Sequence, residues 1–194
     1  VGGLCGLASN GSMSYCYDAG AVSGSSNVGG VCGWTSNSSI SYCYNTGAVS
    51  GSSNVGGVCG LNHGTISRCT FSGTLVGQAD LMGATDKYYI GGICGLNQNI
   101  IEDCYVKDNI QFSTATPNSN NKLYVGISGG NAVYGKIENC YNMANITCQT
   151  TVNTPFIKSG ICGWNTDNAV TTNCYYLTGT ADYGIGETVD VKGS

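Results

Sequence analysis

The chain alternates short apolar runs with polar turns, and no stretch shows the 3.6-residue apolar period of a helix. The most regular run is V-G-G-[VLI]-C-G, which opens at Val1, Val28 and Val55 and recurs as IGGICG at Ile90. Its glycines permit close backbone approach and positive φ, so the run reads as a tightly packed strand. A polar segment such as Asn62-His63-Gly64-Thr65 follows and reads as a turn. The next apolar run places Ile or Met three residues before a cysteine, usually with tyrosine just after it. In the first two units a third short run, Gly47-Ala48-Val49-Ser50 in the second, leads into a polar Gly51-Ser52-Ser53-Asn54 turn.

These runs belong to a repeat. Residues 1–27 and 28–54 are identical at 20 of 27 positions, and further units start at Val55, Ile90, Val125 and near Lys158. The units therefore span 1–27, 28–54, 55–89, 90–124, 125–157 and 158–194, within a single repeat domain covering 1–194. One such unit cannot bury an apolar face alone, whereas stacked units build a continuous core. The reading is an all-β, right-handed parallel β-solenoid of about six disulfide-stapled coils, roughly 30 Å long at about 4.8 Å per layer. The three-residue spacing of Ile40 and Cys43, repeated at Ile66/Cys69 and Ile137/Cys140, would put the two on opposite faces of a flat strand. A corner between them lets both point inward. The longer units add polar residues at about Leu75–Tyr88, Gln111–Lys122 and Thr147–Phe156, which are expected to project as surface loops from one side.

Twelve cysteines, an even number and none in a CxxC pair, sharpen the picture. The pairs Cys5/Cys16, Cys32/Cys43, Cys59/Cys69, Cys94/Cys104 and Cys162/Cys174 recur within units. The fifth unit keeps Cys140, carries Gly129 in the first slot and adds Cys148. The simplest account is six intra-coil bridges with Cys140–Cys148 replacing the lost pair, in an oxidising compartment. The alternative is two columns of buried free thiols stacked along the solenoid, since cysteine is also a small hydrophobe. Zinc is disfavoured, because the pairs lack ligand spacing and His63, read as a turn residue, is the single histidine. Cofactors are not expected.

Charge narrows the function. With 7 Lys+Arg against 11 Asp+Glu, the net charge is −4, which disfavours nucleic acid as a partner. No apolar run reaches 18 residues, so no membrane span is read. Asp80, Asp86, Glu102, Asp103, Glu138, Asp182 and Glu187 do not recur at a fixed repeat position, which argues against a carboxylate pair or a calcium ladder and against an enzyme. Tyr17, Tyr44, Tyr105, Tyr141 and Tyr175 each follow the second cysteine of a unit and should align in a column, either a stacking ladder or a stripe for sugars. Asn10, Asn37 and Asn145 head N-glycosylation sequons, which chance alone explains in a chain this rich in Asn, Ser and Thr.

The strings VGGVCGLNHGTISRC and CYNTGAVSG resemble the GLUG motif, and the resemblance extends over essentially the whole chain to the ending NCYYLTGTADYGIG. That motif recurs in tandem on bacterial surface proteins, including the non-catalytic part of some immunoglobulin A proteases. The resemblance implies a cell-surface or secreted β-solenoid without activity of its own. The expected role is therefore an extracellular structural or adhesive module, a rigid spacer or filament subunit, as a processed product or fragment of a larger chain. Its expected partners are copies of itself or flanking repeats end to end. A carbohydrate-binding module using the tyrosine column or the loops of repeats 3–5 is the alternative, with surface glycans as partners.

Overall fold

The computed structural model describes residues 1–79, 87–114, 122–150, 156–166 and 168–189. All regular structure among them is β, and every pairing of strands is parallel. The second coil shows the plan. Ser26–Gly29 and Cys32–Ser41 lie in the first sheet, Tyr44–Asn45 in the second and Val49–Gly51 in the third. The three sheets hold 13, 6 and 5 strands, so the chain winds as a parallel β-solenoid around one apolar core. Each strand pairs with its counterpart one coil away. Cys32, for example, is in register with Cys5 on one side and Cys59 on the other.

The core follows from the repeat. Val28, Val31, Ile40 and Val49 of the second coil are fully buried, as are Val55, Val58, Ile66 and Leu75 of the third. The second glycine of the V-G-G run, and Gly160 after Ser159 in the sixth unit, gives way to a large group from the second sheet. A Cβ on Gly30 would lie 1.7 Å from Asn45 Nδ2, one on Gly57 2.3 Å from Phe71, and one on Gly160 2.2 Å from Tyr176. Glycine is thus required here by close packing across the coil.

The expected corner is present. Ile40 and Cys43 are both buried, and Tyr42 between them has φ +52°. The equivalents Tyr15, Arg68, Asp103, Asn139 and Asn173 all have φ between 50° and 54°. One left-handed residue per coil turns the chain from the first sheet into the second, so residues three apart can face inward together.

Three details depart from the sequence reading. The segment around His63 is not a free turn: Cys59–Ser67 is one strand with an irregularity between His63 and Thr65, because this coil is one residue shorter there than its neighbour. Gly64 fills the gap by close approach, since a Cβ would lie 2.0 Å from Ser38 O. The supposed loop segments are partly strand. Leu75–Ala79, Ile110–Thr114 and Ile146–Thr150 continue the third sheet, while Lys87–Asn97, Lys122–Asn131 and Phe156–Thr166 lengthen the first. Residues 80–86, 115–121 and 151–155 lie outside the described residues. Finally, Tyr183–Val189 pairs with Phe156–Thr166, adding a rung beyond the sixth coil.

Candidate functional site: thiol, amide and tyrosine ladders

Stacking converts each repeat position into a column, and three of these columns carry chemistry. The first cysteine column runs Cys5, Cys32, Cys59, Cys94, Ser128 and Cys162 in register. This corrects the reading of the fifth unit: Ser128, not Gly129, occupies the cysteine slot, because the unit is one residue shorter between Gly126 and Ser128. Ser128 also mimics the thiols. Its hydroxyl donates to Gly130 O at 2.6 Å, as Cys32, Cys59, Cys94 and Cys162 donate to the carbonyl two residues on.

The second column is Cys16, Cys43, Cys69, Cys104, Cys140 and Cys174, beside the corner residues. Here Cys43, Cys69, Cys104, Cys140 and Cys174 each donate to the carbonyl two residues back, at 3.1–3.3 Å. Cys69 N and Cys104 N in turn donate to the sulfur of the next coil at 3.4 Å.

The expected bridges within coils are not formed. Cys5, Cys16, Cys32, Cys43, Cys59, Cys69, Cys94, Cys104, Cys140, Cys162 and Cys174 are all free thiols. The ten-residue strand Cys32–Ser41 separates the two cysteines of its coil. Even bent at Asn37 it holds their Cα atoms well beyond the roughly 7 Å that a disulfide spans. Sulfur neighbours lie along the columns instead, from coil to coil. Cys148 has its backbone in the third sheet opposite Phe112, and its side chain lies outside the described residues. With Ser128 filling the slot, no compensating bridge is called for.

Burial sets the character of these thiols. It pushes Cys162 up to about 12 and holds Cys59 and Cys104 well above the ordinary thiol range, with neighbouring thiols adding to the shift at Cys104. Cys32, Cys43 and Cys174 are raised chiefly by the thiol of an adjacent coil. Cys69 and Cys140 are pulled down, because each is flanked by two thiols able to donate to it. Most of these thiols are buried away from any reagent, so the columns serve as packing.

A third ladder was not legible as chemistry. Asn62 Nδ2 donates to Asn97 Oδ1 at 2.7 Å, Asn97 Nδ2 to Asn131 Oδ1 at 2.9 Å, and Asn131 Nδ2 to Asn165 Oδ1 at 3.1 Å. Thr35 Oγ1 extends the ladder by donating to Asn62 Oδ1 at 2.6 Å. These amides are buried and also satisfy carbonyls of the bend, as Asn97 does with Asn99 O at 2.8 Å. The only sequence signal was the recurrence of Asn three residues after the cysteine of the first run.

The tyrosines form two stacks. Tyr17 and Tyr44 stack at 5.7 Å with a 25° interplanar angle, and Tyr105 and Tyr141 at 5.7 Å and 14°. Tyr175 continues in register beyond Tyr141. Between the stacks the column carries Thr70, in register with both Tyr44 and Tyr105. Beside it runs the corner column, where Tyr15 stacks on Tyr42 at 4.9 Å and Arg68 lies 5.4 Å over the Tyr42 ring. Arg68 is also paired with Asp103 at 3.3 Å.

On the other side of the tyrosines an open groove of about 400 Å³ crosses the second, third and fourth coils, lined by Thr46, Ser72, Thr74, Asp108, Asn109 and Gln111 among others. Ser72 Oγ donates to Asp108 Oδ2 at 2.5 Å. The three sequon residues Asn10, Asn37 and Asn145 are exposed. His63 packs edge-on to Trp34 at 5.8 Å. Among the described residues no three potential metal ligands stand together.

Among curated proteins and solved structures, none matches the chain. The family model described as "The GLUG motif" matches residues 24–50, 51–76 and 87–111, each match beginning three or four residues before the second, third or fourth coil and falling mostly within it. With three consecutive matches laid on successive in-register coils, the chain is a GLUG-motif repeat protein.

Proposed function

We propose that this chain serves as a structural module of an extracellular or cell-surface protein, a rigid spacer that other coils extend. The observation that carries this reading is the register. Thiols, amides and rings are satisfied by their equivalents one coil away, so each coil is a template for the next. A further coil, from the same chain or from a second copy, obeys the same rules. The surface location rests on the likeness to GLUG arrays and not on the cysteines, because buried free thiols impose no oxidising compartment. The module acts by shape and carries no catalysis of its own.

Fusing two copies at the natural coil spacing and measuring the maximum dimension by small-angle scattering tests the spacer role. Six added coils should lengthen the particle by roughly 30 Å at unchanged cross-section. Growth in all dimensions, as in a compact globule, would remove the basis for a spacer.

A further inference from the structure

Stacked tyrosines are poor sugar platforms, because neighbouring rings cover one another's faces. The Tyr17–Tyr44 and Tyr105–Tyr141 pairs are therefore closed to a ligand on their shared sides. The interruption at Thr70 changes this. Tyr44 and Tyr105 flank Thr70 one coil away on either side, so their remaining faces are turned toward the same empty rung.

Two coil steps set the backbones that carry these rings about 9–10 Å apart. A flat ring touching both would need about 7 Å at carbon contact distances, and a puckered pyranose about 8–9 Å. The slot thus suits a sugar ring better than a planar one. Thr70, half-buried, offers a hydroxyl at its floor.

The adjoining groove supplies what a polyol requires. Hydroxyls of Thr46, Ser72 and Thr74, amides of Asn109 and Gln111, and the Asp108 carboxylate line it across the same three coils. Tyr17 Oη lies 2.9 Å from Thr46 Oγ1, which ties the first tyrosine stack to the groove edge. Of the six polar side chains named, Asp108 alone is charged. It disfavours an anionic sugar, while Arg68 at the opposite edge is already engaged by Asp103.

We infer that the interrupted tyrosine column over Thr70, with its flanking groove, is a binding site for a neutral pyranose unit of a glycan chain, held between Tyr44 and Tyr105 and hydrogen-bonded by Ser72, Asp108 and Gln111. This is independent of the spacer role and gives one segment of the rod an adhesive function.

Isothermal titration and ring-proton NMR with neutral hexasaccharides of gluco-, manno- and N-acetylglucosamine type, and with an oligogalacturonate, test it. At least one neutral hexasaccharide should bind saturably and shift the Tyr44 and Tyr105 ring signals. Thr70→Tyr, which fills the rung, should weaken that binding at least about tenfold while continuing the ring stack. Tyr44→Ala and Tyr105→Ala, both on the surface, should weaken it similarly and serve should Thr70→Tyr fail to fold. Absence of binding by all neutral hexasaccharides at millimolar concentration, wild-type affinity in the folded variants, or tighter binding of the uronate would each overturn the inference.

Discussion

Asp18→Asn is expected to stabilise the protein, although it removes a charge from an acidic chain by touching a single side chain. Asn45 and Asn142 occupy the same repeat position in other coils. Their Nδ2 groups donate to Gly57 O and Gly160 O, both at 2.7 Å, and their Oδ1 atoms accept from Gly47 N at 2.7 Å and Ala144 N at 2.9 Å. Asp18 keeps only half of this arrangement. Its Oδ1 accepts from Gly20 N at 3.2 Å, while Oδ2 is buried and unpartnered. A Cβ on Gly3 would lie 2.3 Å from Gly30 O and 2.7 Å from Asp18 Oδ2, so the two oxygens crowd one spot as acceptor against acceptor.

An amide nitrogen there would donate to Gly30 O. Satisfying a buried polar pair is worth about 1–3 kcal/mol, and the half-exposed position of Asp18 places the gain at about 1–2 kcal/mol. For a chain of this size that corresponds to a rise of roughly 2–8 °C in Tm. The assay is thermal and urea unfolding of both proteins at pH 7, with native-state hydrogen exchange reading the amides of the first coil, where the gain should concentrate. Asn45→Asp is the reciprocal control and should destabilise. Unchanged or reduced stability of Asp18→Asn, with first-coil exchange no slower, would refute the reasoning.

Other consequences follow from the ladders. Asn97→Leu breaks the amide column at its centre and orphans Asn62 and Asn131, costing about 3–5 kcal/mol. Asn97→Thr should cost visibly less, because Thr35 already shows a hydroxyl joining the ladder, and urea midpoints compare the two. Burial pushes the Cys162 thiol up to about 12 from the ordinary 9.0, so between these values the folded state holds a proton that the unfolded state has lost. Its contribution is complete below about pH 9 and declines toward pH 12, by at most about 1.4 kcal/mol per pH unit. Urea midpoints across that range should fall, and less steeply in Cys162→Ser. Alkylation of the native protein at pH 8 should spare Cys59, Cys69, Cys94 and Cys104, while alkylation after non-reducing denaturation should label all eleven described cysteines. Six bridges found by mass would contradict the free columns.

Much of the fold was legible because a repeat forces its own explanation. Ile40 and Cys43, three apart and both apolar, demanded a corner, and Tyr42 supplies it with a positive φ. That a tyrosine, an arginine and an aspartate share this conformation with asparagines could not be read from propensity, because tertiary stacking holds them there. The cysteines were misjudged for a similar reason. Their spacing within a unit suggested pairs along the chain, whereas a parallel solenoid sets equivalent residues of successive coils about 4.8 Å apart and separates those of one coil by a strand. The Ser128 slot was missed because a one-residue shortening shifts the register, and only pairing reveals it. The break at Thr70 was visible as a missing tyrosine, but its meaning depends on Tyr44 and Tyr105 facing it from adjacent coils.

The in-register stacking of coils is tested most directly by distance measurements between labels at equivalent corners. Spin labels attached through a bio-orthogonal residue at positions 15, 68 and 173 avoid the native thiols and sit at exposed corner sites. Two coil steps separate 15 from 68 and five separate 15 from 173. Backbone separations of about 10 and 24 Å are expected, rising linearly with coil number. A 15–173 separation no larger than the 15–68 one would contradict the parallel solenoid and the ladders built on it.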